Sequence, residues 1–364
     1  MNGQNKISNM QIKALMVTII IGVGILSLPS DIAIVMGNDG WIGILLGGLI
    51  TIPFIIMIDR LFKLYPNRDF FQLGKEIIHP IGFKFLLLIF FAYSILLLSV
   101  SIRIFADTIE VYLLETTPTE VIIITMLLAT SYIARCQIET IARIAVMIYP
   151  IIFVFVIFLL IISIPSMDFT NIYPIFRLNY KTILKGISTA IFSYSGYEFI
   201  LLVLHMAENK EKTLKYNLNG ILLVIGIYLI VFFTTLSQYG IHQLKREIWP
   251  TIALVKEVDL PGFFLENLDG IVIAIWVMVV YGTLGPLLHF SGVILSDILN
   301  TKSHKVYILP LIPIIYTIAI FPKSLVKTDE VLWGVLKYFS IIAIMVIPTI
   351  LFLLGLFKNG RRKS

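Results

Sequence analysis

Ten apolar stretches follow one another through the chain, and each is long enough, or nearly long enough, to cross a membrane. A bilayer core about 30 Å thick needs about 20 apolar residues in a helix. We predict spans 1 to 10 at residues 11–36, 41–64, 84–114, 120–134, 143–164, 183–205, 217–239, 270–296, 306–321 and 334–357, with spans 4 and 9 short. The sequence therefore predicts an all-α polytopic membrane protein with ten transmembrane helices in one membrane domain, residues 1–364.

The composition excludes several other classes of protein. Of the 364 residues, 58% are apolar and 14% are charged, whereas soluble domains carry about 25% charged residues. With a mean hydropathy of +0.96, a soluble enzyme, a nucleic-acid-binding domain and a disordered regulator are excluded. No nucleotide-binding motif, nucleophile–base arrangement or ligand-like histidine spacing is present, and Cys136 is the single cysteine. We expect no enzyme activity, no metal and no cofactor.

The lysines and arginines indicate an orientation. If the N-terminus is cytoplasmic, the cytoplasmic segments hold the larger share of the 28 Lys and Arg residues, as the positive-inside rule requires. Ten spans then put both termini in the cytoplasm. The net charge of +6 is thus interpreted as an interaction with the cytoplasmic leaflet and not with nucleic acid.

Two spans carry residues that interrupt a membrane helix. Span 1 has Gly22 and Gly24 at mid-depth with Pro29 beyond them, and span 6 has the run SYSGYE at residues 193–198. Irregular backbone in a membrane survives mainly where it lines a cavity. Spans 1 and 6 are the first helices of two five-span halves, residues 11–164 and 183–357, and paired interruptions of this kind are typical of inverted-repeat transporters. The sequence predicts breaks in both spans, with a site for a small zwitterion between them. The alternative is that Gly22 and Gly24 only allow close packing of a neighbouring helix, since small residues are common in membrane helices.

Three further features have more than one interpretation. Glu198, near mid-membrane, is either protonated, held by freed backbone N–H groups, paired with a cation, or a purely structural carboxylate. Arg103 shares a helical face with Asp107, so it either attracts an anionic ligand or forms an intrahelical pair. Residues 244–269 suggest an amphipathic helix on the outer surface, which either caps the outer vestibule or is an inert interfacial loop with Trp249 as its anchor.

Several runs of residues resemble a known family. They are ISNMQIKALMVTIIIGVGILSLP at 7–29, DGW at 39–41, LLETTP at 113–118, FSYSGYE at 192–198, IWPT at 248–251 and LPGFFLENLD at 260–269. In this order they are similar to the B subunit of Ger-type spore germination receptors, a permease-like protein. The GxG of span 1 and the SGYE of span 6 also resemble amino acid–polyamine–organocation permeases, over a shorter stretch.

The resemblance implies properties that composition and spacing do not show. It implies the LeuT-type inverted-repeat fold, a place in the inner membrane of the spore, and two partners, a larger membrane A subunit and a lipoprotein C subunit. The ligand would be a small germinant, often an amino acid. By position, the residues implied to bind it are Gly22, Val23, Gly24, Tyr93, Leu97, Ser195, Gly196, Glu198 and Thr283.

Two functions are compatible with this fold. The first is a germinant-sensing receptor subunit that triggers germination, and the alternative is a secondary amino acid transporter coupled to H⁺ or Na⁺. They predict the same pocket and differ in whether net flux occurs. A membrane enzyme would need catalytic groups that the sequence does not present.

Overall fold

The structure is a computed structural model that describes residues 6–66, 68–177, 179–256, 268–322 and 334–363. Helices occupy all ten predicted spans. In chain order they are Asn9–Met36, Gly40–Leu64, Pro80–Tyr112, Thr119–Ala134, Ile138–Ser163, the bent pair Tyr180–Ser193 and Tyr197–Met206, Thr213–Leu244, Leu268–Ile298, Lys305–Ile320, and finally Gly334–Ile341 continued by Ile347–Lys363. Two short helices, Phe70–Ile77 and Pro250–Lys256, lie between spans.

Spans 4 and 9 are short, as the sequence predicts. Each contains 16 residues, so each is about 24 Å long at 1.5 Å per residue and does not cover a full bilayer core. Within the described residues, six other helices, or seven if the bent pair counts as one span, are long and apolar enough to cross a membrane. The helical, polytopic architecture is therefore confirmed.

Span 1 lies at the centre of the molecule. It packs against spans 5, 6, 7 and 8 and is buried along most of its length, which explains why it is apolar on all sides. A capping box starts it: the Ser8 hydroxyl accepts from the Gln11 amide at 3.2 Å, and the Gln11 side chain accepts from the Ser8 amide at 2.8 Å. The helix is continuous from Asn9 to Met36, so the structure differs from the predicted break at residues 22–24.

Span 6 is broken where the sequence predicts. Its first half ends at Ser193, and its second half begins at Tyr197 after a bend of 48°. Gly196 at the bend has φ +119°, a conformation that residues with a Cβ rarely adopt. A Cβ on Gly196 would also lie 2.6 Å from the side chain of Ile19 in span 1. The glycine thus permits both the turn and the close approach of the two spans.

A turn of π-helix in span 10 faces this bend. Residues Ile342–Val346 form the π turn, and the Tyr197 hydroxyl donates to the carbonyl of Ile344 within it. Such turns carry backbone groups that lack their regular helical partners. Span 10 thus braces the second half of span 6, a contact that the sequence does not predict.

The face of the molecule that carries the start of span 1, here called the N-terminal face, is closed by backbone hydrogen bonds. The Ile7 amide donates to Met206 and the Glu208 amide donates to Ile7, both at 2.9 Å, in a short parallel bridge. The Asn9 side chain adds a bond to the Asn209 carbonyl at 2.9 Å. The segments that precede span 1 and follow span 6 are therefore joined on this face.

On the opposite face, the turn between spans 1 and 2 holds the connection between the two five-span halves. The Asp39 carboxylate accepts from the amides of Phe176 and Arg177 at 2.7 and 2.9 Å. The Asn38 amide group lies 2.9–3.0 Å from the carbonyls of residues 171–173. These bonds give the DGW run a structural role, since Asp39 is its first residue.

A candidate ligand site at the junction of spans 1 and 6

Glu198 satisfies the backbone that the break in span 6 exposes. Its two carboxylate oxygens lie 3.0 and 2.9 Å from the Gly196 amide, which donates to them, and the Tyr93 hydroxyl donates to one oxygen at 2.7 Å. The side chain is fully buried, and no cation of the described residues forms an ion pair with it. Among the described residues Glu198 therefore has no cation partner, and its carboxyl group is held by a freed N–H group and a hydroxyl.

Aromatic rings hold Tyr93 in place. Its ring stacks on Phe90 of the same span and on Phe199 of span 6, with centroids 6.2 and 6.1 Å apart. Phe199 stacks in turn on Phe290 of span 8 at 5.4 Å. Offset stacking of this kind fixes ring orientation, so the Tyr93 hydroxyl is directed at Glu198. This assigns Tyr93 a contact with Glu198 and not one with the small cavity described below.

Gly22 lets a hydroxyl of span 8 reach the backbone of span 1. The Thr283 hydroxyl donates to the Thr18 carbonyl at 2.8 Å, and that carbonyl lies one turn before Gly22. A Cβ on Gly22 would lie 1.7 Å from the Thr283 oxygen, an impossible contact. The space beside Gly22 that the sequence predicts for a ligand is therefore filled by Thr283.

Gly24 lets a hydroxyl of span 7 reach the backbone of span 1. The Tyr228 hydroxyl lies 3.0 Å from the Ile20 carbonyl of span 1 and 2.8 Å from the Ser193 carbonyl at the end of the first half of span 6. A Cβ on Gly24 would lie 2.3 Å from that hydroxyl and 2.7 Å from the Ser193 oxygen. Val23 belongs to the helix, and its side chain lies outside the described residues.

Pro29 leaves one carbonyl of span 1 without its helical hydrogen bond, and a third hydroxyl binds that carbonyl. Because proline has no N–H, the carbonyl four residues earlier, that of Ile25, loses its helical donor. The Thr251 hydroxyl, in the short helix Pro250–Lys256, donates to this carbonyl at 2.6 Å. Span 1 is thus a continuous helix, and hydroxyls from three neighbouring elements bind its carbonyls around the glycines and the proline.

A small cavity lies among four of the predicted site residues. Gly24, Leu97, Ser195 and Thr283 line it, and the Ser195 hydroxyl makes no hydrogen bond with the described residues. The cavity has a volume of about 20 Å³, which is room for a single water molecule. In this conformation the predicted residues come together, but they enclose no space for an amino acid.

A much larger cavity lies directly beside it, toward the opposite face. Its volume is about 550 Å³, within the range of small-molecule sites. Gly24, Phe192 and Ser193 border both cavities, so the large cavity ends at the junction of spans 1 and 6. It reaches the surface at Lys245 and Arg246, which are exposed.

Arg103 and Asp107 form the intrahelical pair on the wall of this cavity. Arg103 Nε lies 2.8 Å from the Asp107 carboxylate, and Asp107 lines the cavity. The guanidinium also donates to the carbonyls of Ala319 and Pro322, at 3.1 and 3.2 Å. Arg103 therefore ties span 3 to the end of span 9, and its charge is already balanced.

The segment after span 7 forms part of the cavity wall. Of the predicted amphipathic helix 244–269, the structure describes Pro250–Lys256 as a helix, and residues 257–267 lie outside the described residues. Trp249 is buried and packs on Tyr112 at 6.2 Å. Trp249 is therefore an internal contact and not an anchor at the membrane surface.

The ligand-binding residues predicted from the sequence leave out several residues of this region. They are Phe192, Ser193, Tyr228, Thr251 and Lys337. A signal was present for Lys337, the one charged residue in the apolar sequence of residues 334–357. The partnership of Thr251 with Pro29 had no local signal, because 221 intervening residues separate them.

Comparison with known proteins identifies the family. A family model described as "Spore germination protein" matches residues 6–328. Spore germination protein YndE of Bacillus subtilis (strain 168) is 23% identical over 321 residues, which is 88% of each chain. Spore germination protein GerLB of Bacillus cereus is 25% identical over 327 residues, 89% of this chain and 87% of the relative.

Solved structures show the fold. The structure of MhsT in complex with L-phenylalanine covers 98% of this chain and 97% of its own, with a TM-score of 0.71 and 18% identity. A Na⁺-coupled sialic acid symporter, in a substrate-bound outward-open state, covers 98% of this chain and 80% of its own, with a TM-score of 0.67 and 13% identity. The predicted inverted-repeat transporter fold is thus confirmed, and the chain belongs to the spore germination protein family.

Proposed function

We propose that this protein is the germinant-sensing, permease-like subunit of a spore germination receptor. It binds a small germinant, an amino acid, where the large cavity meets spans 1 and 6, and this binding triggers germination. The observation that carries the proposal is the cavity of about 550 Å³ that ends on Gly24 and Ser193, in a chain whose curated relatives are spore germination proteins.

The remaining site residues have distinct roles in this proposal. Ser195, Leu97 and Thr283 shape the small inner cavity, which widens when the ligand moves inward from the large one. Gly196, Glu198 and Tyr93 form the hydrogen-bonded hinge of span 6. Gly22 and Gly24 are the points at which Thr283 and Tyr228 approach span 1, and Val23 lies between them in the helix.

The setting of the receptor is also part of the proposal. The protein lies in the inner membrane of the spore with both termini on the core side, as the excess of basic residues on that side favours. It acts together with a larger membrane A subunit and a lipoprotein C subunit. The 550 Å³ cavity then opens toward the outer side, from which a germinant arrives.

Ligand binding to the purified protein tests the proposal. The twenty proteinogenic L-amino acids are added one at a time, and the thermal unfolding midpoint is measured. At least one is expected to raise the midpoint, because a ligand that binds only the folded state stabilises it. Thr189→Trp, which fills the cavity wall, is expected to abolish this shift.

Ser188→Trp is the matched control. Ser188 is the exposed neighbour of Thr189 and does not line the cavity, so this variant is expected to keep the shift. A shift that survives Thr189→Trp unchanged would place the ligand elsewhere, and no shift with any amino acid would contradict an amino acid ligand.

The second candidate is a secondary amino acid transporter coupled to H⁺ or Na⁺. The fold shared with a Na⁺-coupled symporter favours it. Uptake of radiolabelled amino acid by liposomes that contain the purified chain separates the two functions. A receptor subunit binds without net uptake, whereas a transporter accumulates the amino acid when an H⁺ or Na⁺ gradient is applied.

A further inference from the structure

At the break in span 6, the Gly196 amide is already occupied. It donates to both carboxyl oxygens of the buried Glu198 side chain, so it is not available to an anionic ligand. The first half of span 6 ends at Ser193, which lines the cavity and whose carbonyl accepts a hydrogen bond from Tyr228. A helix C-terminus carries partial negative charge and attracts cations. The floor of the cavity therefore suits an ammonium group, and a carboxylate needs a positive partner elsewhere.

Lys337 of span 10 is placed where it can pair with the carboxylate of a ligand. It lines the same cavity, and its ammonium lies 5.5 Å from the centre of the Phe192 ring. Phe192 immediately precedes Ser193 and also borders the small inner cavity. A cation over an aromatic face is held by the ring but keeps its hydrogen-bond donors available. Lys337 is exposed, and no carboxylate of the described residues forms an ion pair with it.

The other charged side chains around the cavity are less suited to this role. They are Asp31, Asp107, Lys245, Arg246 and Glu247. Asp107 is already paired with Arg103 at 2.8 Å. Lys245 and Arg246 are exposed at the cavity mouth, whereas Lys337, although exposed as well, lies over the Phe192 ring. Lys337 is the cation that contacts the floor, through Phe192.

We propose that Lys337 binds the carboxylate of a zwitterionic ligand whose ammonium group lies at the Ser193 carbonyl. The Tyr228 hydroxyl also lies at the end of the site proposed for the ammonium group. It lies within hydrogen-bond distance of both Ile20 and Ser193 carbonyls. Because a carbonyl oxygen has two lone pairs, the Ser193 carbonyl can accept from the ammonium whether or not Tyr228 donates to it. This inference rests on the proposed function and specifies its ligand class, an amino acid with a free carboxylate.

The experiment compares an amino acid with its C-terminal amide. The probe is the L-amino acid that stabilises the wild-type protein most, and dissociation constants are measured for it and for its amide. Wild type is expected to bind the acid at least about tenfold more tightly than the amide. Lys337→Gln is expected to weaken binding of the acid by about 10- to 100-fold, the value of a hydrogen bond to a charged group, and to leave the amide unchanged.

Two variants serve as controls. Lys337→Arg keeps the charge and is expected to retain most of the preference for the acid. Lys245→Gln removes a cation at the mouth of the same cavity and is expected to change the affinity for the acid less than threefold. The unfolding midpoint without ligand is expected to be the same in all variants, because both lysines are exposed.

Each alternative result has its own meaning. Lys337 does not recognise the carboxylate if Lys337→Gln binds the acid as tightly as wild type does. The same conclusion follows if the variant's affinities for the acid and for the amide fall by equal factors. In both cases the proposed function stands. If no amino acid binds the wild-type protein, the proposed function is rejected, and the inference on its ligand is rejected with it.

Discussion

Spans 1 and 6 occupy corresponding places in the two five-span halves, yet their backbones differ. Span 6 is broken at residues 194–196 and bends by 48°, whereas span 1 runs without a break from Asn9 to Met36. Both contain glycines that predict a break from the sequence. Glycine content by itself therefore does not decide whether a membrane helix unwinds.

The source of the additional hydrogen bonds differs between the two spans. In span 6 a carboxyl group two residues along the chain accepts from the Gly196 amide at the break, and the Tyr228 hydroxyl lies 2.8 Å from the Ser193 carbonyl that ends the first half. In span 1 the groups with added partners are carbonyls, and hydroxyls of Thr283, Tyr228 and Thr251 donate to them. In both spans the backbone groups at the glycines and the proline thus have side-chain partners, as a membrane-embedded backbone requires.

The largest effect is expected from Glu198→Ala. This change leaves the Gly196 amide and the Tyr93 hydroxyl without their buried acceptor, and each unpaired group costs about 1–3 kcal/mol. We expect the free energy of unfolding to fall by about 2–6 kcal/mol, measured by denaturation of the purified protein in detergent.

Glu198→Gln is the informative partner of that variant. The glutamine oxygen accepts from one donor, and the Tyr93 hydroxyl can reverse to accept from the glutamine amide, so most of the stability is expected to remain. Equal loss in both variants would show that the negative charge itself, and not the acceptor, holds the break.

Gly24→Ala is expected to lower the free energy of unfolding by a smaller amount. The new Cβ would lie 2.3 Å from the Tyr228 hydroxyl and 2.7 Å from a backbone carbonyl, so spans 1, 6 and 7 must separate. Overpacking of this kind costs about 1–3 kcal/mol. Gly226→Ala in span 7 is the control, since none of the described residues has an atom within 4 Å of the point that its Cβ would occupy. A Gly24→Ala protein as stable as the control would mean that span 1 has room to unwind at this point.

The smallest effect is expected from Thr251→Val. It removes the donor to the Ile25 carbonyl and is expected to lower the unfolding free energy by about 1–2 kcal/mol. Pro29→Ala restores an N–H at the helical position for that carbonyl, so the double variant should recover most of the loss.

Thr235→Val in span 7 is the matched control. Thr235 is also fully buried, but its hydroxyl donates to carbonyls of its own helix, which already have helical donors. Its loss is expected to be smaller than that of Thr251→Val. If Pro29→Ala and Thr251→Val are simply additive, the hydroxyl does not compensate for the proline.

Local sequence patterns were sufficient to predict the spans, one intrahelical ion pair and the bend in span 6. The positions of the ten spans follow from apolar runs, because every backbone polar group in a membrane must be satisfied within a helix. The Arg103–Asp107 pair follows from a spacing of four residues on one helix. The bend in span 6 follows from Gly196, which adopts a positive φ, next to a carboxylate that cannot be left unpaired in a membrane.

The tertiary structure decided what lies across from each of these features. Tyr93 and Glu198 are 105 residues apart, and Thr251 and Ile25 are 226 apart. No local pattern links such residues, since their contact depends on how the spans pack. The sequence by itself thus determined where helices form and where one of them bends. Packing determined that span 1 remains one continuous helix and that Lys337 lies over the Phe192 ring, because hydrogen bonds and charge contacts between helices exist only once the helices are in place.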